Sequence, residues 1–225
     1  PGLPTLRAAE RLVHAVMPPT PQYRWPLLEA GLDLGPGGEC WVKHENHTPL
    51  GAFKVRGGLV YFDHLTRSGT RPAGVVSATR GNHGQSVGFA ARRHGLSAAI
   101  FVPRGNSREK NAAMRALGVE LIEVGEDFQA AREAAATFAA ERSWHMIPSF
   151  HADLVAGVAS YGLELFDAVQ PDVVYVPIGL GSGACGLIAA RDALGLAHTQ
   201  IVGVVSAGAP AYALSLAQGE PVSHA

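Results

Sequence analysis

Val173-Val174-Tyr175-Val176-Pro177-Ile178-Gly179-Leu180-Gly181-Ser182-Gly183-Ala184-Cys185-Gly186 reads as an apolar strand that runs straight into a glycine-rich turn and then a helix. Glycines let a backbone come close to an anion, and the unpaired N–H groups at a helix start bind phosphate with help from the dipole. A tight turn without a ligand is the plain alternative. Gly181-x-Gly183-x-x-Gly186 formally satisfies the dinucleotide fingerprint, which makes a nicotinamide oxidoreductase the natural rival. That fingerprint requires an acidic residue about 20 positions on. Here the next strand ends in Ser206-Ala207-Gly208, with no acid near, and the turn comes late in the chain. No G-x-x-x-x-G-K-[ST] pattern is present, which argues against a nucleoside triphosphate. A single phosphate monoester fits best.

The same strand–turn–helix rhythm extends in both directions. Strand-like runs fall at Glu39–Glu45, Ala73–Ser77, Ala98–Val102, Val119–Val124, Trp144–Ile147, Val173–Ile178 and Ile201–Ser206. Helical stretches are expected at Leu3–Met17, Asn82–His94, Arg108–Leu117, Phe128–Arg142, Leu154–Val169, Ala184–Leu194 and Ala209–Gln218, with one more opening at Lys54. A Pro-rich connection, Pro18 to Pro26, joins the first helix to the first strand. The strands are short and β-branched without alternation, which predicts burial on both faces. Strands alternating with helices of this length imply βαβ units, parallel sheets and an α/β fold. Pro148 and the Ser149–Ala152 stretch mark a passage between subdomains.

Composition narrows the class. Apolar residues make up 47%, charged residues 16%, with 27 Gly and 15 Pro, the profile of a compact Ala/Gly-rich chain rather than a disordered one. A formal net charge of -1 supplies no field that would draw in nucleic acid or an anionic membrane. No apolar run reaches the roughly 18 residues of a membrane span, and no basic-then-apolar leader opens the chain. Cys40 and Cys185 lie far apart without a C-x-x-C partner, which predicts no disulfide framework and a reducing, cytoplasmic setting. The first residue is Pro1, which predicts a cut or processed start.

In open parallel sheets, ligands bind beyond the carboxyl ends of the strands. After Val75-Val76-Ser77-Ala78 comes Thr79-Arg80-Gly81-Asn82-His83-Gly84-Gln85, a turn whose N–H groups can converge on a carboxylate-sized anion. Asn82 offers a donor and an acceptor suited to a phenolic oxygen. Simple N-capping by Thr79 or Asn82 is the alternative, and His83 by itself reads as a packed or capping histidine. A third stretch, Gly51-Ala52-Phe53-Lys54-Val55-Arg56-Gly57-Gly58, sets a lysine at the mouth of an amphipathic helix carrying Leu59, Val60, Phe62 and Leu65. The positive end of a helix dipole disfavours a cation, which lowers the amine's pKa and keeps it available for Schiff-base chemistry. An exposed lysine on a surface helix would look the same locally.

An amine, a monophosphate cradle and a carboxylate nest on one α/β chain together point to pyridoxal phosphate. Through Ala52-Phe53-Lys54-Val55-Arg56-Gly57-Gly58, Arg80-Gly81-Asn82-His83-Gly84-Gln85 and the Gly179–Gly186 loop, in that order, the chain resembles the fold-type II pyridoxal-phosphate enzymes. Within them it is similar to the threonine/serine dehydratases (ammonia-lyases), from about Trp41 to the end. Cysteine-synthase relatives typically carry Thr after the Gly-Asn pair, so His83-Gly84-Gln85 favours the dehydratase branch.

The resemblance implies two parallel-sheet, three-layer α/β/α subdomains with the cofactor between them. Residues 1–72 and 149–225 would form a discontinuous large cofactor-binding domain, and 73–148 a small substrate-binding domain. By resemblance, Lys54 is the Schiff-base lysine and the base at the substrate Cα, and Phe53 packs beside the cofactor ring. Asn82 bonds the ring's 3′ oxygen, and the turn of Thr79, Arg80, Gly81, Asn82 and His83 holds the substrate carboxylate. Gly179, Leu180, Gly181, Ser182 and Gly183 cradle the phosphate. The implied reaction removes water from a small β-hydroxy amino acid such as L-threonine or L-serine, giving a 2-oxo acid and ammonia. β-Replacement of the cysteine-synthase type and a non-catalytic amino-acid-binding remnant of the fold are the competing readings. A homodimer is the family's usual assembly.

Several positions depart from the pattern. The family usually has Ser where Ala52 stands and Ser or Ala where Arg80 stands. A serine at position 80 is the second acid/base of serine racemases, so Arg80 disfavours racemisation and instead reaches either solvent or an anionic substrate side chain. Relatives with a divalent cation use a Glu near Ser206; Val205-Ser206-Ala207 predicts no metal here. Family members run roughly a hundred residues further, so the C-terminal part of the large domain, with the group facing the pyridine nitrogen, is expected to be missing.

Overall fold

The computed structural model describes residues 1–69 and 71–223. In chain order the elements are α1 (Leu3–His14), β1 (Gln22–Arg24), α2 (Pro26–Glu29), β2 (Trp41–Lys43), a 3-10 turn (Glu45–His47), α3 (Lys54–Arg67), β3 (Gly74–Ala78) and α4 (Asn82–Arg93). Then follow β4 (Ser97–Val102), α5 (Arg108–Ala116), β5 (Glu120–Glu123), α6 (Phe128–Arg142), β6 (His145–Met146), α7 (Ala152–Ala168), β7 (Val173–Pro177), α8 (Ser182–Ala193), β8 (Gln200–Val204) and α9 (Ala211–Gln218). The α/β rhythm expected from periodicity is the one observed, with ends shifted by one to three residues.

Two expectations need correction. The Pro-rich connection is not plain loop: β1 pairs antiparallel with β2, Tyr23 opposite Val42, and Pro26 opens the short α2. Nor are all strands buried on both faces. β3 is buried throughout and β4 nearly so, because they are the inner strands of the parallel sheet β5-β4-β3-β6. β5, at the sheet edge, is half-exposed. β7 and β8 form a separate parallel pair with α8 against it, and Val173, Tyr175 and Val204 stay exposed.

The four-stranded sheet carries helices on both faces. Val75, Ile100 and Val102 pack with Val87, Ala90, Ala91 and Met114 of α4 and α5 on one side. Val76, Ala78, Ala99 and Phe101 meet Ala131, Ala135 and Ala139 of α6 on the other. Caps fix the helix starts: Ser107 accepts from Lys110 N, and the Asp127 carboxylate accepts from Ala130 N at 2.8 Å. Met17, α1, α3, α7 and α8 form a second, larger core that includes Leu6, Val55, Val60, Val158, Leu163 and Leu187.

Where α3 crosses α7, backbone meets backbone. A Cβ on Gly57 would stand 2.7 Å from Leu154 O, and one on Gly157 would overlap the Arg56 carbonyl. Beside that crossing Arg56 is wholly buried and forks onto two carboxylates, Glu164 at 2.6 Å and Glu45 at 2.8 Å. Lys43 and His14 also bond Glu164, at 2.6 and 2.8 Å. This network ties α1, β2 and the 3-10 turn to the first turn of α3, and therefore to Lys54.

Candidate active site

Lys54 is the first residue of α3, and its half-buried side chain reaches the start of α8, where Nζ donates to Ser182 Oγ at 2.7 Å. Two stretches 128 residues apart in sequence thus meet at one hydrogen bond. Burial lowers the Lys54 amine's pKa below its usual range. Loss of water around the ammonium is the cause. Phe53 forms one wall, its ring 6.1 Å from that of Tyr161.

Gly181, at φ +88, makes the sharp turn that a side chain would oppose and is the N-cap of α8. Among the described residues, no acceptor meets the N–H groups of residues 179–184. The residues Gly181, Ser182, Gly183 and Ala184 are buried, and their N–H groups have no protein partner among the described residues. Buried backbone N–H groups are seldom left unpaired, so an arc of them at a helix N-terminus fits an anionic ligand group. Above Gly179 there is open space, with no atom within 4 Å of where a Cβ would stand. Behind the arc, Tyr161 Oη donates to Gly183 O at 2.8 Å and Tyr212 Oη to Leu180 O at 3.0 Å, holding the loop from both sides.

The start of α4 is tied to the same lysine from the other core. Ser86 Oγ donates to Lys54 O at 2.7 Å, and a Cβ on Gly58 would collide with that hydroxyl, which explains the second glycine of the pair. Thr79 Oγ1 accepts from Gly81 N at 3.2 Å, closing the turn. Neither Thr79 nor Asn82 caps α4: the N-cap is Gly81, without a side-chain bond, and Asn82 is the first helical residue. The N–H groups of Asn82, His83 and Gly84 meet no acceptor among the described residues.

His83 is buried, with Nε2 lacking any partner. Burial and the nearby Lys54 charge push its pKa down to about 4, so it is neutral at pH 7. Asn82 Oδ1 accepts from Lys110 Nζ at 3.1 Å. Arg80 is exposed and forms no ion pair among the described residues.

Sequence reasoning did not single out Ser86, Tyr161, Tyr212 or Lys110. The tyrosines sit in apolar helical runs and carry no local mark of what their hydroxyls reach. Lys110 does carry one: like Lys54, it is a cation in the first turn of a helix, against the dipole.

Residues 16–225 match the family described as pyridoxal-phosphate dependent enzyme. The chain is 36% identical over 185 residues to the L-threonine ammonia-lyase of Geobacter sulfurreducens, covering 81% of this chain and 45% of that protein. It is 31% identical over 183 residues to the biosynthetic L-threonine dehydratase of Haemophilus influenzae, covering 80% of this chain and 35% of that protein. Among solved structures, a threonine deaminase from T.th. superposes with a TM-score of 0.88 at 30% identity, covering 100% of this chain and 71% of the other. The chain spans less than half the length of these two curated relatives. A half-buried amine set against an unpaired N–H arc suits a carbonyl cofactor with an anionic tail, and pyridoxal phosphate has both. With the family match, the fold and the residues all in agreement, the chain belongs to the pyridoxal-phosphate-dependent enzymes, with the fold-type II architecture of the threonine/serine dehydratases.

Proposed function

We propose that this chain carries the catalytic core of a dehydratase (ammonia-lyase) that removes water from a small β-hydroxy amino acid such as L-threonine or L-serine. The products are a 2-oxo acid and ammonia. The observation that carries this reading is the 2.7 Å contact of Lys54 Nζ with Ser182 Oγ at the mouth of the unpaired N–H arc. Lys54 would hold pyridoxal phosphate through its amine, residues 179–183 its phosphate, and Asn82 its phenolic oxygen. When bound, the cofactor supplies an electron sink that acidifies the substrate's Cα–H.

The chain's own groups do the rest. Burial lowers the Lys54 pKa and so favours the neutral amine, the form that can accept the Cα proton. Ser182 Oγ orients that amine. The N–H groups of Asn82, His83 and Gly84 would bind the substrate carboxylate. His83, neutral at pH 7, is not in the imidazolium form that would act as a general acid, and serves as a packed support. Phe53 and Tyr161 exclude water from one side. Residues 73–148, built on β3–β6, serve as the substrate domain, and 1–72 with 149–225 as the cofactor domain. A cytoplasmic homodimer is the assembly we assign.

Assaying 2-oxobutyrate from L-threonine and pyruvate from L-serine with purified full-length protein tests the reaction. Oxo acid without added thiol supports elimination. Cysteine formed only when sulfide is added would replace it with β-substitution, and cofactor uptake with no product would leave a binding protein.

A further inference from the structure

The chain has three lysines. Lys43 is consumed by the buried network, donating to Glu164 at 2.6 Å and to Thr20 O at 2.8 Å. The other two both stand in the first turn of a helix, where the dipole opposes a cation: Lys54 opens α3, and Lys110 is the third residue of α5. Lys110 has no carboxylate within ion-pairing distance among the described residues. Its stem instead lies across the turn after β3. A Cβ on Gly81 would overlap Lys110 Cδ and stand 3.0 Å from Nζ, so the glycine is needed for the lysine to lie there. At the end of that stem, Nζ meets Asn82 Oδ1 at 3.1 Å.

An ammonium has three donors and no acceptor, so it can face only the oxygen of an amide. The contact therefore decides which way the Asn82 amide is turned, and its NH2 points away from Lys110. We propose that Lys110 is a positioning residue of the cofactor site, holding Asn82 as an obligate donor toward the cofactor's phenolic oxygen. The assignment deepens the function proposed above and rests on it. A donor at that oxygen stabilises its ionised form, and the lysine's charge adds to the effect. Without Lys110 the amide is free to turn over and set its own oxygen against the phenolate.

The test is a pH titration of the bound cofactor's absorbance in the full-length holoenzyme, with borohydride reduction and peptide mapping of the wild type alongside. Lys110→Met removes both donor and charge. It should raise the titration midpoint by about one pH unit and weaken cofactor binding about tenfold, the scale of one charge-assisted hydrogen bond. Lys110→Gln, which keeps an N–H donor, should fall between, and Lys110→Arg should restore the wild-type midpoint. A role in folding alone would lower affinity and leave the midpoint in place. An unmoved midpoint in Lys110→Met, or an Arg variant as shifted as the Met variant, overturns the assignment while the wild-type label on Lys54 keeps the parent reading intact. A wild type that takes up no reducible cofactor overturns both.

Discussion

Replacing Glu164 by Gln removes the charge at the centre of the buried network while keeping the side chain's shape. The carboxylate accepts from Arg56 Nη1 at 2.6 Å and Nη2 at 3.0 Å, from Lys43 Nζ at 2.6 Å, and pairs with His14 Nε2 at 2.8 Å. Burial alone would raise its pKa, but the bonds and charge of Arg56, then Lys43 and His14, outweigh burial and bring it to about 2 from an ordinary 4.5. A folded pKa below the unfolded one means stability that is present above the unfolded value and lost as pH falls through the folded value. The shift corresponds to about 3 kcal/mol at pH 7 and about 2 kcal/mol at pH 3.5. Leaving Lys43 without its counter-charge, and Arg56 with Glu45 alone, costs the same order, about 3 kcal/mol.

Urea denaturation of wild type and Glu164→Gln should therefore differ by about 3 kcal/mol at pH 7, a large part of a typical 5–15 kcal/mol total. The gap should narrow by about 1 kcal/mol at pH 3.5, because Glu164 of the unfolded chain is then largely protonated while the folded carboxylate is still ionised. A gap below about 1 kcal/mol at pH 7, or one that does not change with pH, would refute the reasoning. Because Arg56 lies two residues after Lys54, a loosened network should also lower cofactor retention.

Three further outcomes follow from single contacts. Gly157→Ala puts a methyl onto the Arg56 carbonyl at the α3–α7 crossing; thermal or urea melts should show a loss of about 1–3 kcal/mol despite alanine's better helix propensity, and a neutral or stabilised variant would contradict the close approach. Tyr161→Phe removes the bond to Gly183 O. It should cost about 1–2 kcal/mol and weaken binding of the cofactor's phosphate, read as a raised dissociation constant for pyridoxal phosphate; unchanged affinity would argue against a support role. The ring protons of His83 should titrate near pH 4 by NMR, because burial and the Lys54 charge lower its pKa, so it favours folding above its ordinary value of 6.5 and progressively less as pH falls toward 4. A midpoint near 6.5 would contradict its burial.

Much of the fold was legible because strands and helices announce themselves by local period. Val75-Val76 and Ile100-Phe101-Val102 read as buried strands, and Phe128–Arg142 has the bounds expected, set in the structure by the Asp127 cap and Ser143 at positive φ. The β1–β2 pair was hidden because its three-residue strands lie in a segment whose prolines read as loop. The exposure of β7 and β8 was not legible either. Val173 and Tyr175 look the same in sequence whether or not a layer covers them, and coverage is a tertiary matter.

At the site, Lys54, Asn82 and the glycine turn stood out because glycines and a lysine at helix starts are locally costly. Ser86, Tyr161 and Tyr212 did not, since a hydroxyl on a helix gives no hint of a partner more than 20 residues away. A further reason for the lowered Lys54 pKa was also hidden: the sequence pointed to the helix mouth, and burial, a tertiary effect, lowers it as well.

The most direct test of the Lys54 site is chemical. Full-length protein loaded with pyridoxal phosphate, reduced with borohydride and digested, should carry the pyridoxyl label on the peptide containing Lys54. The label should disappear in Lys54→Ala. With only Lys43 and Lys110 as other lysines, a label on either of those, or a Lys54→Ala protein that still takes up reducible cofactor, would contradict the assignment of the amine beside Ser182.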